Sequence, residues 1–108
     1  MINRLQKAIR EQAAFDGALI VSPENRFYFT GFPSSDGFLL VGKTRAVLIT
    51  DGRYIEAAQN TVTNCEVVLM NTAATQIFEI FAEIQVSRVA VEASRMTLSQ
   101  YNRYAAAL

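Results

Sequence analysis

Two continuous apolar runs, FLLV at residues 38–41 and AVLI at residues 46–49, stand four residues apart, and nothing else in the 108 residues restricts the fold as much. Both are rich in branched side chains, and Gly42-Lys43-Thr44-Arg45 between them is turn chemistry, so the pair reads as an antiparallel hairpin. Apolar residues at every position, rather than at alternate ones, imply strands covered on both faces. Such a hairpin needs helices above and below it, and the flanking sequence offers them. Residues 3–15 place Leu5, Ala8, Ile9 and Ala13 on one helical face with Arg4, Lys7, Arg10 and Glu11 largely opposite, and Asp16-Gly17 ends the pattern. ALIV at 18–21 is a short apolar run. Ser22-Pro23 then supplies an N-cap and a first-turn proline for a helix through Thr30, stopped at Gly31.

Residues 31–37, GFPSSDG, are loop throughout. Tyr54 to Asn60 is weakly helical, CEVVLM at 65–70 is a strand candidate, and 74–86 carries Ile77, Phe78, Phe81 and Ile84 at helical spacing. RVAVEA at 88–93 is another strand, and Thr97-Leu98-Ser99-Gln100 is a capping box opening a last helix. That helix runs into YAAAL without a glycine, proline or polar tail, so the expectation is a chain cut while still helical. Helices alternating with strands around one hairpin predict an α/β domain, a mixed sheet with helices on both faces. RFYF at 26–29 reads as helix packing, and Glu79 and Glu83 as a solvated face.

GFLLVGKT, residues 37–44, also satisfies the letter pattern of a phosphate-binding loop. That loop works only when a glycine-bearing turn follows a strand and a helix begins at the lysine. Here the middle positions Phe38, Leu39, Leu40 and Val41 are strand material and RAVLIT follows, so Lys43 is expected at a hairpin tip. Gly42 is then explained by a turn position of positive φ.

Ten basic and ten acidic residues cancel and no basic run is present, which argues against nucleic acid. The complete lack of histidine removes the usual base of serine and cysteine hydrolases and the commonest zinc ligand. No apolar run approaches the 18 or so residues of a membrane span, and the amino terminus lacks a signal-peptide pattern, so the cytoplasm is expected and no membrane is. Cys65, the single cysteine, opens an apolar run and is expected as a small buried thiol.

Pairing Val41 with Arg45 or Ala46 fixes position sums of 86 or 87, which sets Asp36 opposite Thr50 or Asp51 at the open end of the hairpin. Arg53 and Tyr54 follow at once, and the serine-rich loop borders the same edge. The cluster can hold both ends of a zwitterionic peptide. Equally, Asp51 can cap the following helix while Arg53 balances Asp36 as a structural ion pair. Asp36 and Asp51 alone are too few for a tight divalent site.

ENRFYFTGFPSSDGFLLV followed by AVLITDGRYIEAA resembles the amino-terminal domain of the creatinase and prolidase family, the pita-bread metallopeptidases. The likeness lies in Thr30-Gly31-Phe32 closing an aromatic-rich helix, Asp36-Gly37-Phe38 opening a strand, and Thr50-Asp51-Gly52-Arg53-Tyr54 closing another. The resemblance implies a three-layer α/β fold with a five- to six-stranded mixed sheet and a ribonuclease H-like motif. It implies a non-catalytic domain of an Xaa-Pro dipeptidase, followed by its own carboxy-terminal catalytic domain and assembled as a homodimer. No catalytic or metal-binding residue is assigned to this chain. Two divalent ions, commonly manganese, would sit in the catalytic domain. By matched position, Phe32, Pro33, Ser34, Ser35, Asp36, Arg53 and Tyr54 would face a proline-containing dipeptide at the partner's active site. A peptide- or protein-interaction module of the same fold is the alternative, and the residues that follow Leu108 would separate the two.

Overall fold

The computed structural model describes residues 2–33 and 36–92. The elements run α1 (Ile2–Arg10), β1 (Gly17–Ile20), α2 (Pro23–Thr30), β2 (Gly37–Gly42), β3 (Ala46–Thr50), α3 (Ile55–Thr61), β4 (Glu66–Leu69), α4 (Ala73–Glu83) and β5 (Val89–Val91). The strands form one five-stranded mixed sheet in the order β4-β3-β2-β1-β5, with β2 antiparallel to both neighbours and the outer pairings parallel. The expected α/β architecture is therefore present. The capping box at Thr97 and the last helix lie outside the described residues, as do Ser34, Ser35 and Ala93.

Alternation along the central strands divides the core in two. Ala18, Ile20, Leu39, Val41 and Leu48 point to one face with Ile2 and Ile9 of α1 and Ala58 of α3. Leu19, Phe38, Leu40 and Ile49 point to the other, where Ile77 and Phe81 of α4 cover them. Every residue of β2 and β3 is buried, as continuous apolarity requires. The similar run in β4 behaves differently, because β4 is an edge strand and its residues are exposed or half-buried. Among the described residues no helix is long and apolar enough to cross a membrane.

Several local expectations are corrected. Helix α1 stops at Arg10 because the Gln12 amide replaces the next helical turn. Its Nε2 donates to the carbonyls of Ile9 (2.9 Å) and Phe15 (2.6 Å), and its Oε1 accepts from the N–H groups of Ala14 and Phe15. Among the glycines, positive φ falls at Gly31 (74°) and Gly37 (155°), and not at Gly42. A Cβ on Gly42 would stand 3.1 Å from Ile84 Cδ1, so close approach of the α4–β5 connection, rather than turn geometry, favours glycine there. Phe78 is exposed, while Ile77 and Phe81 anchor α4. In RFYF the expected packing is largely inverted: Arg26 is buried, Phe27 and Tyr28 face solvent, and only Phe29 leans on the core. Glu83 is exposed but accepts from Arg45 at 3.4 Å, and the same guanidinium binds Glu66 at 2.9 and 3.0 Å.

Candidate functional site

The hairpin turns through Lys43-Thr44, with the Gly42 N–H donating to the Arg45 carbonyl at 2.8 Å, and Val41 pairs with Ala46. That register carries Gly37 opposite Thr50 and leaves Asp36 and Asp51 side by side just beyond the last pair. Lys43 sits at the far end, its carbonyl accepting from Arg10 Nη1 at 2.6 Å, and β3 rather than a helix follows Thr44. The phosphate-loop letters therefore lack the geometry that would make them a phosphate site.

At the open end Asp51 folds the chain back on itself. Its Oδ1 accepts from the Arg53 N–H at 3.1 Å and its carbonyl from the Tyr54 N–H at 3.1 Å, an Asx-type turn leading into α3. The turn aims the Arg53 side chain across the sheet edge. Nη2 of Arg53 donates to Asp51 Oδ2 at 2.9 Å and to Asp36 Oδ2 at 3.0 Å. The guanidinium carbon lies 5.3 Å from the centre of the Tyr54 ring, and Tyr54 meets Phe32 edge-on at 6.3 Å and 83°. The hydrogen bond from Arg53 holds the Asp51 carboxyl below its ordinary value, and the same bond raises the Arg53 guanidinium. Two carboxylates share the one exposed guanidinium, with the buried Arg26 guanidinium behind them acting on Asp36 as well. Asp36 and Arg53 are each about two-thirds exposed, at 66% and 65%, and therefore open to a ligand.

The loop before Asp36 is fixed from its helical end. Ser22 caps α2, its Oγ accepting from the Asn25 N–H at 3.2 Å with Pro23 in the first turn. Gly31 closes the helix in the left-handed conformation, its N–H donating to Phe27 O at 2.7 Å. The Thr30 hydroxyl then donates back to Arg26 O at 2.7 Å and accepts from the Phe32 N–H at 3.2 Å. Phe32 is buried and Pro33 exposed. Of the residues that sequence reasoning singled out, Phe32, Asp36, Arg53 and Tyr54 converge directly, Pro33 lies between them in the chain, and Ser34 and Ser35 fall outside the described residues.

Two residues behind this rim were not foreseen. Arg26 is buried beneath it, Nη1 donating to Val21 O, and a Cβ added at Gly37 would lie 3.5 Å from its Nε. Burial pulls the guanidinium below its ordinary value, and the charges of Asp36, Glu92 and Glu24 oppose that shift. Glu92 accepts from the amino-terminal end of α2. The one available signal was an arginine four residues after the N-cap Ser22 of a short helix whose aromatic neighbours could not all face inward. Cys65 is half-buried, and burial pushes its thiol up to about 11, as suits a packing residue. Among the described residues no three His, Cys, Asp or Glu side chains converge as metal ligands, so the residues described do not form a metal centre.

The sequence profile of the creatinase/prolidase N-terminal domain matches residues 1–108. A Mycoplasma pneumoniae protein provisionally named as an Xaa-Pro aminopeptidase is 37% identical over 98 residues, covering 91% of this chain and 27% of its own. An Xaa-Pro dipeptidase from Bacillus anthracis superposes with a TM-score of 0.91 at 30% identity, over 99% of this chain and 30% of that one. The N-terminal domain of the cytoplasmic peptidase PepQ from Mycobacterium tuberculosis superposes with a TM-score of 0.86 at 29% identity, over 99% of this chain and 83% of that one. The chain thus spans less than a third of the length of the intact relatives it matches.

Proposed function

The chain belongs to the creatinase/prolidase N-terminal domain family, and from that membership we propose that it is the leader domain of a cytoplasmic, metal-dependent Xaa-Pro dipeptidase. In this reading it is followed by its own catalytic domain and assembles as a homodimer. Its rim borders the partner subunit's active-site mouth and selects short substrates. The hydrolysis, with two divalent ions such as manganese lowering the pKa of a bound water, belongs to the catalytic domain. This chain contributes binding and exclusion.

The observation that carries the proposal is the Asp36–Arg53–Asp51 cluster on its Phe32–Tyr54 base. A dipeptide with proline second is a zwitterion with one flat, apolar ring. The exposed Asp36 carboxylate suits the ammonium, Arg53 suits a carboxylate, and the aromatic pair suits the ring. The short length of the 32–36 segment gives a slight preference for dipeptidase over aminopeptidase specificity.

The test is steady-state kinetics on the full-length enzyme. Asp36→Ala and Arg53→Ala should each raise KM for an Xaa-Pro dipeptide several-fold while kcat stays within about twofold, because binding is lost and chemistry is not. An unaltered KM in both variants would remove the gating role.

A further inference from the structure

The carboxylate of Glu92 lies just beyond β5 and closes the amino-terminal end of α2. Its Oε1 accepts from the backbone N–H groups of Val21 and Ser22, the latter at 3.0 Å, and its Oε2 accepts from Ser22 Oγ at 2.8 Å and Asn25 Nδ2 at 2.6 Å. The Ser22 hydroxyl proton is thereby directed at Glu92, leaving its oxygen free to accept from the Asn25 N–H. On the other side of the same peptide, Val21 O accepts from Arg26, whose guanidinium lies against Gly37, the neighbour of Asp36. A continuous polar path thus runs from the end of β5 through α2 to the rim.

Besides these ties, helix α2 is held by Phe29, which leans on the core without being fully buried, and by Asn64 Nδ2 donating to Phe29 O at 2.8 Å. Arg26 is its one buried residue, and Phe27 and Tyr28 are turned to solvent. A helix without a fully buried apolar anchor depends on its polar ties. An ordinary N-cap needs only Ser22, so the four bonds to Glu92 exceed what helix capping requires. They tether the helix to the end of a strand 70 positions away in the sequence.

We propose that Glu92 is a positioning residue for the rim: by clamping the start of α2 to the end of β5 it sets where the helix delivers Phe32 and where Arg26 stands against Gly37, the neighbour of Asp36. Its enzymatic consequence rests on the function proposed above, whereas the clamp itself does not. The deciding measurement is amide hydrogen exchange on the 108-residue chain, comparing Glu92→Ala and Glu92→Gln with Ile77→Val, a core change on the opposite face of the sheet. Relative to Ile77→Val at equal global stability, Glu92→Ala should speed exchange at the Asn25 and Phe32 amides by about tenfold or more. Glu92→Gln should fall between, since its amide oxygen still accepts from the Val21 and Ser22 N–H groups. Exchange at both amides no faster than in Ile77→Val would overturn the proposal.

In the full-length enzyme, Glu92→Ala should raise KM several-fold with kcat little changed, as Asp36→Ala does. KM raised by Asp36→Ala but not by Glu92→Ala overturns the positioning role. KM indifferent to both overturns the role of the loop, and the exchange rates then decide for or against the clamp.

Discussion

Glu92 shows how one side chain's surroundings set its response to acid. Burial alone would raise its carboxyl, but the bonds from Asn25, Ser22 and Val21 more than reverse this and leave it below the ordinary 4.5. Because the folded value is the lower one, its stabilising contribution is complete above the unfolded pKa and is lost as pH falls through the folded one. Asp16, where burial pulls the carboxyl up but the Arg88 and Ser87 N–H groups and the Arg88 charge together more than reverse it, and Glu66, held down by Arg45, act in the same direction. The urea midpoint should therefore stay level from pH 7 to about 5 and fall below about 4.5. In Glu92→Gln that acid limb should be shallower, and an unchanged limb would show that Glu92 does not contribute. Residues of this kind were hard to read in the sequence, because Glu92 and Ser22 stand 70 positions apart and the N-cap pattern that marks Ser22 carries no sign of Glu92. The rim was legible for the opposite reason. Asp36, Asp51 and Arg53 are tied by strand register, which local apolar pattern and a four-residue turn suffice to set.

Among the elements, α2 was the most accurately foreseen, since Ser22, Pro23 and Gly31 are end signals that act through local backbone geometry alone. Its inside and outside were not, because eight residues give too short a pattern to fix a face. Helix α4 is the converse case. Its core face followed from periodicity, but its end carries no glycine. Gln85 adopts φ 62° while its N–H donates to Ala82 O at 3.2 Å and the Val86 N–H donates to Phe81 O at 2.8 Å, the two bonds of a Schellman motif. A left-handed non-glycine residue costs about 1–2 kcal/mol, partly offset by the greater unfolded-state entropy of glycine. Gln85→Gly should accordingly stabilise the domain by about 0.5–1 kcal/mol, seen as a Tm increase of about 3–6 °C in thermal denaturation. A lowered Tm would mean that the Gln85 side chain itself contributes more than its backbone conformation costs.

The whole molecule arranges its chemistry by putting the two ends of one hairpin to different uses. The Lys43 end is closed by Arg10 and offers no helix amides to a phosphate. Millimolar Mg·ATP should therefore leave the melting temperature unchanged, since only a ligand that binds the native state raises it. A rise would restore the nucleotide reading. The α/β class was legible because hydrophobic period and turn chemistry agree along most of the chain, whereas strand order was not, because it depends on contacts between distant segments. The pairing of β1 with β5 is the most distant of these, Asp16 accepting from the Arg88 N–H 72 positions away at 2.8 Å. Closing so long a loop is entropically slow compared with zipping a neighbouring hairpin. During synthesis the β2–β3 pair can form early, yet the sheet's far border must wait until residues near 90 have left the ribosome, so until then β1 keeps one flank unpaired and open to the wrong partner.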